Sequence, residues 1–320
     1  MKPAMHYSQF FLWLKKLSLT AFLSALILCV TQTYAAEKIT SNTGQAFTDS
    51  QLDNSHKDIV IYIAVAANFK STLQQLVNAF ALEQPNIKKK QLKIISGATG
   101  ALYSQIIQGA PFDIFFAADT KRPLLLIEKK HVKKDSYYSY AHGQLILAFQ
   151  AQEQKLCDRS LNNKQSLIDF FNNFQASSKP TLAIANPAIA PYGRSANNII
   201  KLSEKAFSRY RIVKGKNVLH AQQLLLNSNA DLAILSAAQA THVAMDNYEF
   251  CLINKSLYTP IEQAMVIIKQ DHRTSRQQHL LNQFFDFIKK ERAQSIISSN
   301  GYLNNEQNKS SMLLIKTGPI

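Results

Sequence analysis

From Asp58 onward the apolar positions fall into two alternating kinds of run. Ile59–Ala67 is continuously apolar and rich in β-branched residues, the pattern of a strand buried on both faces. Residues 69–83 then place Leu73, Leu76, Val77 and Phe80 at helical spacing, and Pro85 ends the helix. Leu92–Ile95 predicts a second strand, Gly97-Ala98-Thr99-Gly100 a turn, and Leu102 and Ile106 a short helix. Ile114–Ala117 predicts a third strand, and Pro123 suits the first turn of the helix after it. A second series opens with strands at Leu145–Phe149 and Leu182–Ala185, separated from later elements by a two-proline loop over Asn186–Gly193. The pattern then predicts a helix at about 218–227, a strand at Leu232–Leu235 and strands near 249–253 and 264–268. Last comes a long amphipathic helix over about 275–297, with Leu280, Leu281, Phe284 and Ile288 on one face.

Repeated strand–helix alternation predicts an α/β fold with mostly parallel sheets flanked by helices. Two such series predict two lobes, with no internal sequence repeat. Residues 36–57, rich in Ser, Asn, Asp and Gln, predict a flexible polar arm ahead of the fold, and the stretch from Glu306 a loose C-terminal tail.

The first 35 residues add a compartment. Lys15 and Lys16 close a basic segment, Leu17–Val30 is apolar, and Thr33-Tyr34-Ala35 resembles a small-x-small cleavage site, which predicts an exported chain starting at Ala36. The apolar run is short for a membrane span, which needs about 20 residues. Cys29 follows Leu26-Ile27-Leu28, without the small residues of a lipid-anchor signal. Cys157 and Cys251 remain in the mature chain. An oxidising compartment allows them to pair; two separate buried thiols are the other reading.

The formal charge of +15 over 320 residues raises the question of nucleic acid. The basic residues are scattered in short groups such as Lys88-Lys89-Lys90 and Lys289-Lys290, with no basic stripe interleaved by aromatics. A solvated basic surface is the expectation, with a field that draws in anions, and no nucleic-acid partner.

Candidate chemistry lies in three places with one geometry: a strand, a loop of small or hydroxyl-bearing residues, then a helix. They are Ala66-Ala67-Asn68-Phe69, Ser96-Gly97-Ala98-Thr99-Gly100, and Pro187 through Pro191-Tyr192-Gly193-Arg194-Ser195. Helix starts expose unpaired N–H groups and a partial positive charge, so several converging on one cleft make an anion site. Each loop alone is also an ordinary helix cap. Catalytic patterns are weak. The eight His residues are dispersed and form no Cys/His metal cluster, and His220 suits a helix surface. The chain has no nucleophile elbow, phosphate loop or dinucleotide fingerprint. Asp113 and Asp119 bracket one strand, and Asp119 suits a helix cap. No enzyme activity, cofactor or cation site is expected.

These segments resemble a known family. Ile63-Ala64-Val65-Ala66-Ala67-Asn68-Phe69 looks like the opening strand and loop of periplasmic molybdate-binding proteins, and Ser96 through Ile106 like their second loop and helix. Gly109-Ala110-Pro111-Phe112-Asp113-Ile114-Phe115-Phe116-Ala117-Ala118-Asp119 is the most specific match. Asn186-Pro187 through Gly193, Asn217-Val218 with Ala221-Gln222, and Ala293 through Ile297 with Gly301-Tyr302 follow in order, so the resemblance spans about residues 58–303.

The resemblance implies a two-lobed periplasmic-binding-protein fold with the ligand in the interlobe cleft. Lobe I would comprise residues 58–140 and 241–305, and lobe II residues 141–240. It implies a solute-binding component of an ABC importer, located in the periplasm, monomeric, that captures molybdate and tungstate and delivers them to a membrane permease. Carried over by position, the anion contacts are Asn68 and Thr99 from lobe I, through side chain and backbone N–H, Tyr192 and Val218 from lobe II, mainly through backbone N–H, and Ser236. Asn68 and Thr99 stand where better-known members have serines, and Ser236 where some members have a tyrosine. These five residues carry no charge, as suits a dianion held by hydrogen-bond donors. Arg194 either strengthens the field or is a surface residue. Other readings are a sulfate or phosphate carrier, a secreted α/β hydrolase resting on fold generality alone, and a sensing protein.

Overall fold

A computed structural model describes residues 59–151, 157–158, 160–176, 179–242 and 248–304. The predicted signal segment, the polar arm and the tail lie outside the described residues.

The first sheet is seeded by β1 (Ile61–Ala66), β2 (Leu92–Gly97) and β3 (Ile114–Ala117), with helices α1 (Lys70–Glu83), α2 (Thr99–Ile107) and α3 (Lys121–Glu128) following them in turn. β4 (Tyr138–Gly143) completes the first visit to this lobe. The chain then builds a second sheet from β5 (Leu145–Gln150), β6 (Ser160–Leu161), β7 (Thr181–Ala185), β8 (Arg211–Gly215), β9 (Leu232–Ser236) and β10 (Tyr248–Ile253). Helices α4 (Lys164–Asn173), α5 (Pro191–Leu202), α6 (Glu204–Phe207), α7 (Val218–Leu226) and α8 (Ala237–His242) lie between these strands in sequence. β11 (Ile261–Ile267) returns to the first sheet, followed by α9 (Ser275–Lys289) and α10 (Glu291–Ser299).

The strand orders are β2-β1-β3-β11-β4 and β6-β10-β5-β9-β7-β8. β1 pairs in parallel with β2 and β3, whereas β11 pairs antiparallel with β3 and β4. The sheets are therefore mixed, with parallel strands at the heart of each α/β unit.

Alternation along the strands explains why helices cover both faces of the first sheet. Ile61, Ile63, Val65, Ile114 and Phe116 pack with Phe80, Phe284 and Phe287 from α1 and α9. Ala64, Phe115 and Ala117 pack on the other face with Leu102, Ile106 and Leu126 from α2 and α3. The second lobe has one continuous core, from Leu147 and Phe149 through Phe170, Ile184, Ile199 and Leu235.

Three sequence expectations change. β10 pairs antiparallel with β5 and parallel with β6, so residues 248–253 belong to the second sheet and the return to lobe I comes after Ile253, not at 241. The first crossing likewise falls after Gly143, because β4 pairs with β11 as far as that residue. The long C-terminal helix is broken at Lys290, whose extended backbone (φ −71°, ψ 152°) ends α9 and caps α10. The apolar face resumes beyond the break, with Ala293 and Ile297 buried in the same core as Phe284 and Ile288. The open question of the cysteines is resolved: Cys157 and Cys251 form a disulfide, 94 residues apart in sequence, with Cα atoms 6.3 Å apart.

Candidate functional site

Every site element begins where a strand ends. β1 runs out at Ala66, and a short 3-10 turn, Ala67–Phe69, carries Asn68 before α1. β2 ends at Gly97, and Thr99 is the first residue of α2. In the second lobe β7 ends at Ala185, and α5 starts at Pro191 with Tyr192 next. Pro191-Tyr192-Gly193, expected as loop, is the first turn of that helix, where proline's fixed φ and missing N–H cost nothing. β8 ends at Gly215, and Asn217 caps α7 by accepting the His220 N–H at 2.9 Å, which leaves Val218 as the first helical residue.

These turns meet in one small cavity between the lobes, partly open to solvent. Lobe I lines it with Ala66, Ala67, Asn68, Gly97, Ala98, Thr99 and Ala118; lobe II with Ala190, Pro191, Tyr192, Asn217 and Val218. None of these side chains is charged, and the small ones leave the main chain within reach of an occupant. First-turn N–H groups have no intrahelical carbonyl. Thr99, Tyr192 and Val218 all hold first-turn positions, on helices whose positive ends point at the cavity. The Thr99 hydroxyl accepts the Ala118 N–H at 3.2 Å, so its own proton remains to be donated.

The lobes also bond directly. The Gly100 N–H donates to the Ile189 carbonyl across the cleft at 2.8 Å. A Cβ at Gly100 would lie 2.9 Å from that oxygen, so the approach requires glycine.

Behind the cavity, where the strands cross between lobes, lies a buried polar cluster that sequence reasoning missed. The Asn68 amide donates to Gln263 Oε1 at 2.7 Å and to the Tyr302 hydroxyl at 3.1 Å, and Tyr302 donates to the Asn68 carbonyl at 2.8 Å. Tyr140 donates to the Ala117 carbonyl at 3.1 Å and reaches Gln263 Oε1 at 3.3 Å. The Gln263 amide donates to the Tyr192 hydroxyl at 3.5 Å, the long end of the range. The Tyr192 hydroxyl also lies over Gly143, where any side chain would collide with it. Burial pushes the phenols of Tyr140, Tyr192 and Tyr302 up, so all three are neutral donors at physiological pH. The one available signal was Gln263 itself, a fully buried amide in β11 just ahead of its apolar stretch from Ala264 to Ile267.

Asn68, Thr99, Tyr192 and Val218 thus come together at the cavity, and Ser236 does not. Ser236 ends β9, fully buried, beside the Tyr192 and Tyr302 hydroxyls and close enough to ease their deprotonation slightly, but its Oγ makes no hydrogen bond of ordinary geometry. Its N–H is taken by Gln239 Oε1 at 3.0 Å. The expected role of Asn68 also changes. Both amide protons are spent on Gln263 and Tyr302, so the donor it can offer an occupant is its backbone N–H.

Other candidates serve the fold. Asp113 accepts the Tyr62 N–H at 2.8 Å and pairs with Arg273 at 2.9 Å. His220 Nδ1 accepts the Lys216 N–H at 3.0 Å. Asp119 accepts the Arg122 N–H at 3.1 Å at the start of α3, as expected of a cap, and also pairs with the Arg122 and Arg194 guanidinium groups. Among the described residues no group of His, Cys, Asp or Glu is placed to hold a metal ion, and no helix is long and apolar enough to cross a membrane. A larger depression, around Lys133, Lys269, Arg273 and His279, lies on lobe I alone and shares no residue with the interlobe cavity.

The model of bacterial extracellular solute-binding proteins matches residues 61–303, from the first residue of β1 to Leu303. The chain belongs to this family. As a solute-binding protein it is similar to the molybdate-binding protein ModA of Rhodobacter capsulatus, 28% identical over 76% of this chain and 88% of the relative. It is also similar to ModA of Azotobacter vinelandii, 29% identical over 76% of this chain and 89% of the relative. The solved structure of the Azotobacter vinelandii periplasmic molybdate-binding protein superposes with a TM-score of 0.63 at 29% identity, covering 76% of this chain and 99% of that one. The two-lobed solute-binding fold is common to both.

Proposed function

We propose that this protein is the periplasmic solute-binding component of an ABC importer, and that it captures molybdate, with tungstate as a second cargo. The observation that carries this reading is the convergence of helix starts from both lobes on one small, uncharged cavity. Molybdate is a fully deprotonated tetrahedral dianion at neutral pH, so it accepts hydrogen bonds through all four oxygens and donates none. The backbone N–H groups of Asn68, Thr99, Tyr192 and Val218 and the Thr99 hydroxyl are donors of that kind. Bonds of this sort to a charged partner contribute roughly 1.5–3 kcal/mol each. No lining carboxylate opposes the charge. The similarity to two ModA proteins supports the choice of cargo.

Capture proceeds by lobe closure, with crossings at Gly143–Leu145 and after Ile253 serving as the hinge. The excess of basic residues draws the anion toward the chain. The closed, monomeric form then docks on a membrane permease. Export follows from the signal-like first 35 residues.

Sulfate is the second reading. It is also fully deprotonated and would use the same donors, and the close approach of the walls at Gly100 and Ile189 favours a small anion. Calorimetric titration of the chain from Ala36 with molybdate, tungstate, sulfate and phosphate separates the two. Submicromolar binding of molybdate and tungstate alone is expected. Binding of sulfate in their place would overturn the cargo, and binding of none would overturn the function.

A further inference from the structure

We infer that Asp119, Arg122 and Arg194 form an interlobe latch that holds the cleft closed and sets the rate of ligand release; this rests on the proposed capture of an anion by closure. Asp119 follows Ala118 of the cavity wall on lobe I, and Arg194 lies two residues beyond Tyr192 of the opposite wall. Arg194 Nη2 reaches Asp119 Oδ2 at 2.7 Å across the mouth of the cavity. The same oxygen is held from its own lobe by Arg122 Nη1, while Oδ1 accepts the Arg122 N–H at 3.1 Å. Asp119 is therefore aimed by lobe I alone and is ready to receive Arg194 each time the lobes meet. The Asp119 and Arg122 side chains are only 12% and 13% exposed, so that half of the latch is screened little by solvent. The Arg194 side chain is 40% exposed and reaches the carboxylate from the solvent side, so its contribution is the smaller, salt-sensitive one.

The charges explain why this arrangement suits an anion carrier. A lone carboxylate one residue from the cavity wall would repel a dianion. Paired with Arg122 it is neutralised in either lobe position, and on closure Arg194 leaves the triad with one net positive charge at the mouth. Arg194 therefore favours the closed state twice, through Asp119 and through the trapped anion. Neither Asp119 nor either arginine lines the cavity, so all three act as positioning residues rather than ligand contacts.

The test is a double-mutant cycle on Asp119→Asn and Arg194→Gln, which keeps the cap acceptor at 119 and a polar, uncharged side chain at 194. Molybdate affinity and release rate are measured for wild type, both single variants and the double variant, with solution scattering of each protein without ligand and thermal unfolding as a control for folding. Each single variant is expected to weaken binding about five-fold, almost wholly through faster release, and the double variant to be no weaker than Arg194→Gln alone. Ligand-free Arg194→Gln is expected to be more expanded than wild type at unchanged unfolding temperature. Losses that multiply in the double variant, or an Arg194→Gln protein that binds and releases as wild type does, would overturn the latch. Failure of the wild type to bind any oxyanion would instead overturn the proposed function, and the latch would then stand or fall on whether Arg194→Gln expands the ligand-free protein.

Discussion

The cavity and the hinge cluster are a few ångströms apart and share two residues, yet they are built from opposite materials. The cavity presents backbone amides at helix starts and one free hydroxyl proton, that of Thr99. The hinge presents side-chain amides and phenols that have spent their protons on one another and on neighbouring main-chain carbonyls. Asn68 and Tyr192 belong to both: their turns form the cavity wall, and their side chains anchor the hinge. The difference teaches that identity at a binding position need not report on ligand chemistry. A side chain can be required because it fixes the backbone amide next to it.

The sharpest division is expected at Thr99. Thr99→Val removes the hydroxyl with little change of shape, and molybdate affinity should fall at least ten-fold by calorimetry, as for loss of a hydrogen bond to a charged partner. Stability should fall by about 1 kcal/mol, since the Ala118 N–H loses its acceptor. At Asn68 the order reverses. Asn68→Ala orphans part of Gln263 and Tyr302 and should cost about 2 kcal/mol in urea unfolding. Affinity should drop only about three-fold, because the backbone N–H remains. A large affinity loss at full stability would place the Asn68 side chain on the ligand and break the comparison.

Alkali tests the hinge end independently. The Tyr258 hydroxyl accepts the Leu145 N–H at 3.1 Å where the chain enters lobe II, and burial raises its pKa to about 12. A phenol raised in the folded state contributes stability that is complete below its unfolded pKa of about 10 and lost as pH climbs through 12. Urea midpoints should hold steady to about pH 9 and then fall, and fall less steeply in Tyr258→Phe. Smaller still, Tyr192→Phe removes a hydroxyl with one long bond to Gln263 and should cost about 1 kcal/mol with affinity kept within about two-fold. Ser236→Ala deletes a buried hydroxyl that makes no hydrogen bond of ordinary geometry, so stability should hold or rise by a few tenths of a kcal/mol, about the scale of a neutral change, and affinity should not move.

The sequence was most legible where local physics is strongest. Continuous apolar runs such as Ile63–Ala67 and Ile114–Ala117 declared buried strands, and their loops declared the helix starts that form the cavity. Position in the family pattern singled out Asn68, Thr99, Tyr192 and Val218, and the fold brings these four to one cavity. What escaped depends on contacts far apart in sequence. The assignment of β10 to the second sheet rests on pairing with β5, about a hundred residues upstream. The spending of Asn68 on Gln263 and Tyr302 joins residues 195 and 234 positions away. Ser236 was carried to the site by the family resemblance alone, and it lies beside the Tyr192 hydroxyl rather than on the cavity wall. Asp119 was legible as a cap, but nothing local could show that Arg194 would reach it from the other lobe.

The most direct test of the central claim is a crystal of the protein grown with molybdate and measured on both sides of the molybdenum absorption edge. A single anomalous peak is expected inside the cavity, within hydrogen-bonding reach of the backbone N–H groups of Asn68, Thr99, Tyr192 and Val218 and of the Thr99 hydroxyl, with Ser236 out of contact. A peak bound instead by the side chains of the hinge cluster, or no peak in the cavity at saturating molybdate, would contradict it.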